Sequence, residues 1–186
     1  EDGSGGLLLA QLKVRLRRGI KEIAERKIYL GQQRERRKGL KDLVAGLSAA
    51  AKQAVSEDIE RPFASSAFVI EVMQTIRLLC EGHNEALQDF LHTQPGTELS
   101  HDMLHEVYEL LSAIEPELDS RNVEQAQLAL ETLTEMVQGN TSGGNAEHLL
   151  ATKLLSLLER LMVKKSLGDG TLDGTQFPLL RISAVT

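Results

Sequence analysis

Residues 77–94 read Arg-Leu-Leu-Cys-Glu-Gly-His-Asn-Glu-Ala-Leu-Gln-Asp-Phe-Leu-His-Thr-Gln. An apolar helical run stops at Cys80, and a carboxylate (Glu81), a glycine, an imidazole (His83) and an amide (Asn84) follow at once. A second acidic side chain, Glu135, lies 54 positions further on, near the end of another apolar helical pattern. Helix C-termini carry the negative end of the macrodipole, so a carboxylate there is electrostatically disfavoured. Two such ends brought together would make a strongly negative corner suited to a cation. Spacing alone leaves a plainer reading open, in which both glutamates are solvated surface groups.

Other candidates carry less. His101 and His105 stand at i, i+4 and could share a transition metal, but no third ligand is evident nearby, and surface histidines are the simpler reading. Asp169, Thr171, Asp173 and Gly174 fall at positions one, three, five and six of a calcium loop. Position twelve is then Leu180, where a bidentate Glu is required, so an EF-hand is rejected. Cys80 ends an apolar face and reads as a small core residue rather than a nucleophile. There is no Gly-x-Ser-x-Gly, Walker-type loop, Rossmann fingerprint or His-Glu-x-x-His, and hence no sign of an enzyme.

The elements that must position these residues are helices. Apolar residues recur at helical rather than alternating spacing, which predicts an all-α protein of about six helices, arranged as an α-solenoid or an irregular bundle. Residues 7–55 read as one long or broken helix with a stripe of Leu9, Leu12, Leu16, Ile20, Ile23 and Leu30, and a break expected near 31–39, where glycines recur. Ser56 to Pro62 is a boundary. Further helices are expected over 64–80, with Phe68 on its apolar face, and 84–92, capped by Asn84, with Leu87, Phe90 and Leu91 inward. Others follow over 100–114, capped by Ser100, over 123–138, stopped by Gly139, and over 146–165. The division is thus a linker or added remnant at 1–6, a basic helical segment at 7–61, a helical domain at 62–165 and an irregular tail at 166–186.

With 186 residues the chain can build one domain, with an appendage. Aromatics make up only 3% and Trp is absent, so the core must come from Leu, Ile, Val, Ala and Met. One cysteine excludes an internal disulfide and a thiolate zinc site, and suits a reducing compartment. No apolar run approaches the roughly 18 residues of a membrane span. The chain begins without Met, and is expected to be a piece of something larger. Residues 13–41 hold twelve Lys or Arg against three Glu, a net +9 in a chain of net −6, which leaves −15 elsewhere. A basic helix beside an acidic body points to docking between the two, or to an acidic partner. A nucleic-acid face, a membrane-surface helix and a calmodulin-type target are the other readings. Tyr29 is the only aromatic in the stretch, which argues against stacking on single strands. A solvated, partly docked helix is preferred.

Leu78-Leu-Cys-Glu-Gly-His-Asn84 with Leu87-Gln-Asp-Phe-Leu-His-Thr-Gln94, and then Arg121-Asn-Val123 with Leu130-Glu-Thr-Leu-Thr-Glu-Met-Val-Gln-Gly139, resemble the central region of the ryanodine and inositol trisphosphate receptors, the helical module called the RIH-associated domain. The resemblance covers about residues 62–140. It departs after Gly139, where the family continues Pro-Cys and this chain has Asn140-Thr141, and the span between the motifs is short. Features of both subfamilies occur. The resemblance implies that Glu81 and Glu135 belong to an activating calcium site completed by a carbonyl of the channel's C-terminal domain, with His83 and Gln138 beside it. It implies a non-enzymatic regulatory domain on the cytosolic face of the endoplasmic or sarcoplasmic reticulum, in a homotetrameric channel. Its partners would be other channel domains, with no nucleic acid and no membrane insertion. The alternative is a helical scaffold without metal.

Overall fold

In a computed structural model the described residues are 3–44, 66–97, 99–119, 121–141 and 144–163. Their regular structure is all helical: α1 (Gly3–Val44), α2 (Ser66–Cys80), α3 (Glu85–His92), α4 (Met103–Ile114), a 3-10 turn (Glu115–Glu117), α5 (Val123–Val137), α6 (Asn145–Ala151) and α7 (Leu154–Val163). None of the described helices is long and apolar enough to cross a membrane. The calcium-loop-like segment 169–180 and the irregular tail lie outside the described residues, as does the boundary at 56–62.

The boundaries follow local chemistry. Asn84 caps α3 by accepting from the Leu87 N–H. The cap of α4 is Asp102, whose Oδ1 accepts from the His105 N–H at 2.9 Å, and not Ser100 as expected. Ser100 instead serves the Gln94 turn, where its hydroxyl donates to Gln94 Oε1 at 3.2 Å. The single helix expected over 146–165 is two, α6 and α7, separated by a turn at Thr152 and Lys153. Thr152 ends α6, its hydroxyl satisfying the Leu149 carbonyl and accepting from the Leu154 N–H at 3.2 Å.

α1 runs unbroken through 31–39 and begins already at Gly3, within the stretch expected to be a linker. A glycine costs up to about 1 kcal/mol against Ala; tertiary packing outweighs that cost around Gly19, whereas a Cβ on Gly31 would meet nothing within 4 Å. Leu9, Leu12 and Leu16 are buried, and Ile20 and Ile23 pack against the same core. α1 lies along α4 and α2; α4 packs on α5, and α5 on α2, which closes a ring of four helices. Two helix pairs packed side by side in this way suit both an irregular bundle and two stacked units of an α-solenoid. α3, α6 and α7 are short and cover one part of it.

The core within the ring is aliphatic: Met73, Ile76, Leu104, Leu110, Leu111, Ile114 and Met136 are fully enclosed. Two residues expected to be inward are not. Phe68 is half exposed, with the Arg15 guanidinium 5.0 Å above its ring, and Phe90 is on the surface against Gly5. Both rings still cover α1, so each contributes at the seam rather than in the core.

Charge fixes α1 in register. Glu106, almost fully buried, accepts from Arg17 at 2.9 Å and faces Lys13 at 3.2 Å. The carboxylate in turn pushes the Arg17 guanidinium further above its ordinary value. Arg26 binds Asp119, and Lys27 meets Glu117 at 2.8 Å. The basic helix is therefore docked on the acidic body, as the charge asymmetry suggested.

Gly19 is the point of closest approach. A Cβ there would stand 2.5 Å from Val69 Cγ2, on a stiff, buried, β-branched side chain. Gly19→Ala improves helix propensity by about 1 kcal/mol, yet is expected to lower stability by about 1–3 kcal/mol through overpacking. Chemical denaturation measures the loss, and adding Val69→Ala recovers part of it.

Candidate functional site

The C-terminal ends of α2 and α5 meet at a surface cleft of about 340 Å³ lined by Gln74, Arg77, Leu78, Glu81 and Glu135. Glu81 is the first residue past α2, in a turn where Gly82 and His83 both adopt positive φ, 71° and 56°. Left-handed backbone is costly for a residue with a Cβ, and at His83 it reverses the chain before Asn84 caps α3. Glu135 sits in the last turn of α5. The fold thus brings both sequence-predicted carboxylates to one cleft, with Glu81 exposed and Glu135 half-buried.

His83 and Gln138 are not among the residues that line it. The His83 side chain lies over Gly139, where an added Cβ would be 3.1 Å from His83 Cβ. Gly139 also has φ 74°, so glycine there both ends α5 and gives His83 its seat. Gln138 is exposed and closes α5 with its own N–H to the Thr134 carbonyl at 2.8 Å.

The last carbonyls of a helix have no partner within it. At the end of α5 they are taken by buried amides. Gln88, fully buried on α3, donates to the Glu135 carbonyl at 2.7 Å and the Gln138 carbonyl at 3.0 Å. Asn145, fully buried at the start of α6, donates to the Met136 carbonyl at 2.9 Å and the Gln88 carbonyl at 3.3 Å. Asn140 donates to Asp89 at 2.7 Å, and Thr141 donates to Glu85 through N–H and hydroxyl at 2.7 and 3.0 Å. The sequence reading singled out neither Gln88 nor Asn145. A polar residue on the face that carries Leu91 is the one signal in the sequence that could have found Gln88.

The electrostatics are mixed. Arg77 lines the same cleft, but its guanidinium is engaged by Glu131 at 2.9 Å. Counting that pair as neutral leaves two negative carboxylates. Beneath them Cys80 is fully buried, and its thiol is pushed up to about 11, first by burial and then by the Glu135 charge. It is a core residue, as expected, and not a nucleophile.

Glu81, Glu135 and the Gln74 amide carbonyl are hard oxygen donors, the kind that calcium takes six to eight of. Two carboxylates supply four oxygens at most. Among the described residues no third His, Cys, Asp or Glu joins this pair in one ligand cluster. The donor set therefore fits part of a calcium shell, and the rest would have to come from water or another domain. Among the described residues His101 and His105 join no cluster of three metal-ligating side chains, and the His105 Nε2 faces Glu109 at 3.8 Å.

Two measurements test this geometry. Gln88→Leu leaves two helix-end carbonyls without their donor, and is expected to cost about 1–3 kcal/mol in chemical denaturation. Gln88→Glu puts an acceptor-only carboxylate against the same oxygens and should cost more at neutral pH. For Cys80, the unfolded thiol ionises near its ordinary 9.0 and the folded one near 11. The folded state keeps its proton in that window while the unfolded state releases it, so this contribution makes stability fall as pH rises from about 9 to about 11. Burial keeps the folded thiol protonated near neutral pH, and thiol reagents should label Cys80 only through opening of the fold.

Comparison with known families gives one result. The family model described as RyR and IP3R Homology associated matches residues 64–162, more than half of the chain. No curated protein and no solved structure matches.

Proposed function

The chain belongs to the RyR and IP3R Homology associated family, and on that premise we propose that it is a non-enzymatic regulatory domain of an intracellular calcium-release channel. In this reading Glu81 and Glu135 contribute part of the activating calcium site, and other domains of the same channel, the C-terminal domain among them, contribute the rest. The parent channel is a homotetramer, and this segment lies on the cytosolic face of the endoplasmic or sarcoplasmic reticulum without entering the membrane.

The observation that carries the reading is the convergence of Glu81 and Glu135, from two helix ends distant in sequence, on one cleft. Both carboxylates stand in or just past the last turn of a helix, where the macrodipole is negative and a nearby cation is favoured. Calcium, when bound, supplies ligation that can join these carboxylates to an oxygen of a second domain. The protein's own residues do the positioning. Gln88 holds the turn of α5 that carries Glu135, and the Gly82-His83 reversal holds Glu81 at the cleft mouth. His83 and Gln138 support the two corners, since His83 rests on the glycine that follows Gln138. A ligand that bridges two domains stabilises whichever arrangement brings them together, and so shifts the population towards it. Two carboxylates and the Gln74 amide supply five oxygens at most, too few for a tight site, so the chain alone should bind calcium only weakly.

A second reading, a helical scaffold without metal, draws on Arg77, whose positive charge lines the same cleft. The Glu131 contact favours the first reading, because it diverts that charge from Glu81 and Glu135.

The decisive experiment is Glu135→Gln in the assembled parent channel, with opening recorded against calcium. The expected result is activation displaced to at least about tenfold higher calcium, or roughly 1.4 kcal/mol of lost ligation. An unchanged activation curve overturns the calcium role and leaves the scaffold.

A further inference from the structure

A different cluster lies at the far end of α3. His92 is the last residue of α3, Asp102 is the cap of α4, and His148 is on α6. His92 Nδ1 is 3.2 Å from Asp102 Oδ1, and His148 Nε2 is 3.3 Å from Asp102 Oδ2. The two imidazole rings stand 4.5 Å apart between centroids. Three ligand atoms, one from each residue, all lie within 4.8 Å of one another. Both inward nitrogens, His92 Nδ1 and His148 Nε2, are buried atoms that form no hydrogen bond. Leaving such groups unmade is expensive, and each one calls for an explanation.

We propose that His92, Asp102 and His148 form a binding site for a divalent transition ion of the zinc class, which ties α3, α4 and α6 together. The ligand chemistry selects the ion. Two imidazoles and one carboxylate suit zinc and its neighbours, whereas calcium and magnesium require oxygen. With metal–ligand bonds of about 2.0–2.1 Å, neighbouring ligands on a tetrahedron are about 3.4 Å apart. The nitrogen–oxygen separations of 3.2 and 3.3 Å, one to each Asp102 oxygen, are close to that edge, and the three ligand atoms stay within 4.8 Å, so small side-chain shifts would close them on one ion. Zinc needs no redox partner, and three protein ligands leave a fourth position for water or for a group from another domain.

The ligands are also held in place. Asp102 Oδ1 accepts the His105 N–H, which orients the carboxylate at the start of α4. Asn145 anchors α6 on Gln88 and Met136, three residues before His148. His105 is close by, its ring 6.4 Å from that of His148, but its Nε2 faces Glu109 and it is not a ligand. The site is independent of the oxygen-lined cleft: it uses no residue of that cleft and a different class of ion.

The test uses the 186-residue chain stripped of metal with a chelator. Titration with Co²⁺ should give visible d–d absorption of tetrahedral intensity at one equivalent, displaced by Zn²⁺. Calorimetry with Zn²⁺ should show one site, weakened more than about tenfold by His148→Asn or Asp102→Asn. Asn caps a helix as well as Asp does, so Asp102→Asn removes the ligand charge while keeping α4 intact. Zn²⁺ should raise the melting temperature of the wild type and not that of Asp102→Asn. His105→Asn, outside the site, and Glu135→Gln, in the other cleft, should both bind Zn²⁺ as the wild type does. Absence of the Co²⁺ band, or equal Zn²⁺ affinity in the wild type and Asp102→Asn, overturns the proposal.

Discussion

The unpaired carbonyls at the end of α5 are the constraint on which the functional half of this fold turns. Buried backbone oxygens must find donors, and here they find the amides of Gln88 and Asn145. Because Gln88 is on α3 and Asn145 opens α6, satisfying one helix end fixes two other helices against it. The position of Glu135, the seat of His83 on Gly139 and the approach of His148 to Asp102 all follow from that arrangement. Each of these amide–carbonyl bonds is strengthened by its low-dielectric setting, while Gln88 Oε1 and Asn145 Oδ1 accept no hydrogen bond from the described residues.

The other half of the fold is held by apolar burial and charge acting together. α1 places Leu9, Leu12 and Leu16 in the core and its cations along the rim of α4 and the turn after it. Glu106 shows why neither is sufficient. A buried carboxylate is destabilising unless paired, and its two partners come from α1, so docking α1 satisfies a charge that folding of α4 alone would strand. Gly19 marks where the close approach is made. A long helix with few apolar residues and several glycines is thereby held along residues 9–27 by what it touches.

Much of this was legible in the residue pattern. Helical periodicity and the near absence of aromatics predicted an all-α aliphatic protein, and Asn84, Gly139 and the apolar stripe of α1 fell where expected, since caps and stripes are local properties. The charge imbalance between residues 13–41 and the rest foretold the docking of α1. The errors were also local in origin. A break near 31–39 was expected from glycine propensity, yet the helix continues there, although a Cβ on Gly31 would meet nothing within 4 Å. One helix was expected over 146–165, because Thr152 does not announce by type that its hydroxyl will close the helix. Phe68 and Phe90 were placed inward on hydrophobicity alone, though an aromatic ring can cover a seam and remain exposed.

The sequence by itself determined which segments are helical, that Glu81 and Glu135 end two of them, and, through the motifs around them, the family. Only the tertiary structure decided which side chains meet. That Glu81 and Glu135 share a cleft, that Arg77 is drawn to Glu131, and that His92, Asp102 and His148 converge are facts about residues tens of positions apart. Their proximity comes from the closing of the four-helix ring and the capture of helix ends by Gln88 and Asn145. Periodicity reports the face of a helix that seeks cover, but not the helix that covers it. These carboxylates and imidazoles lie at or near helix ends, where that choice of partner decides their surroundings.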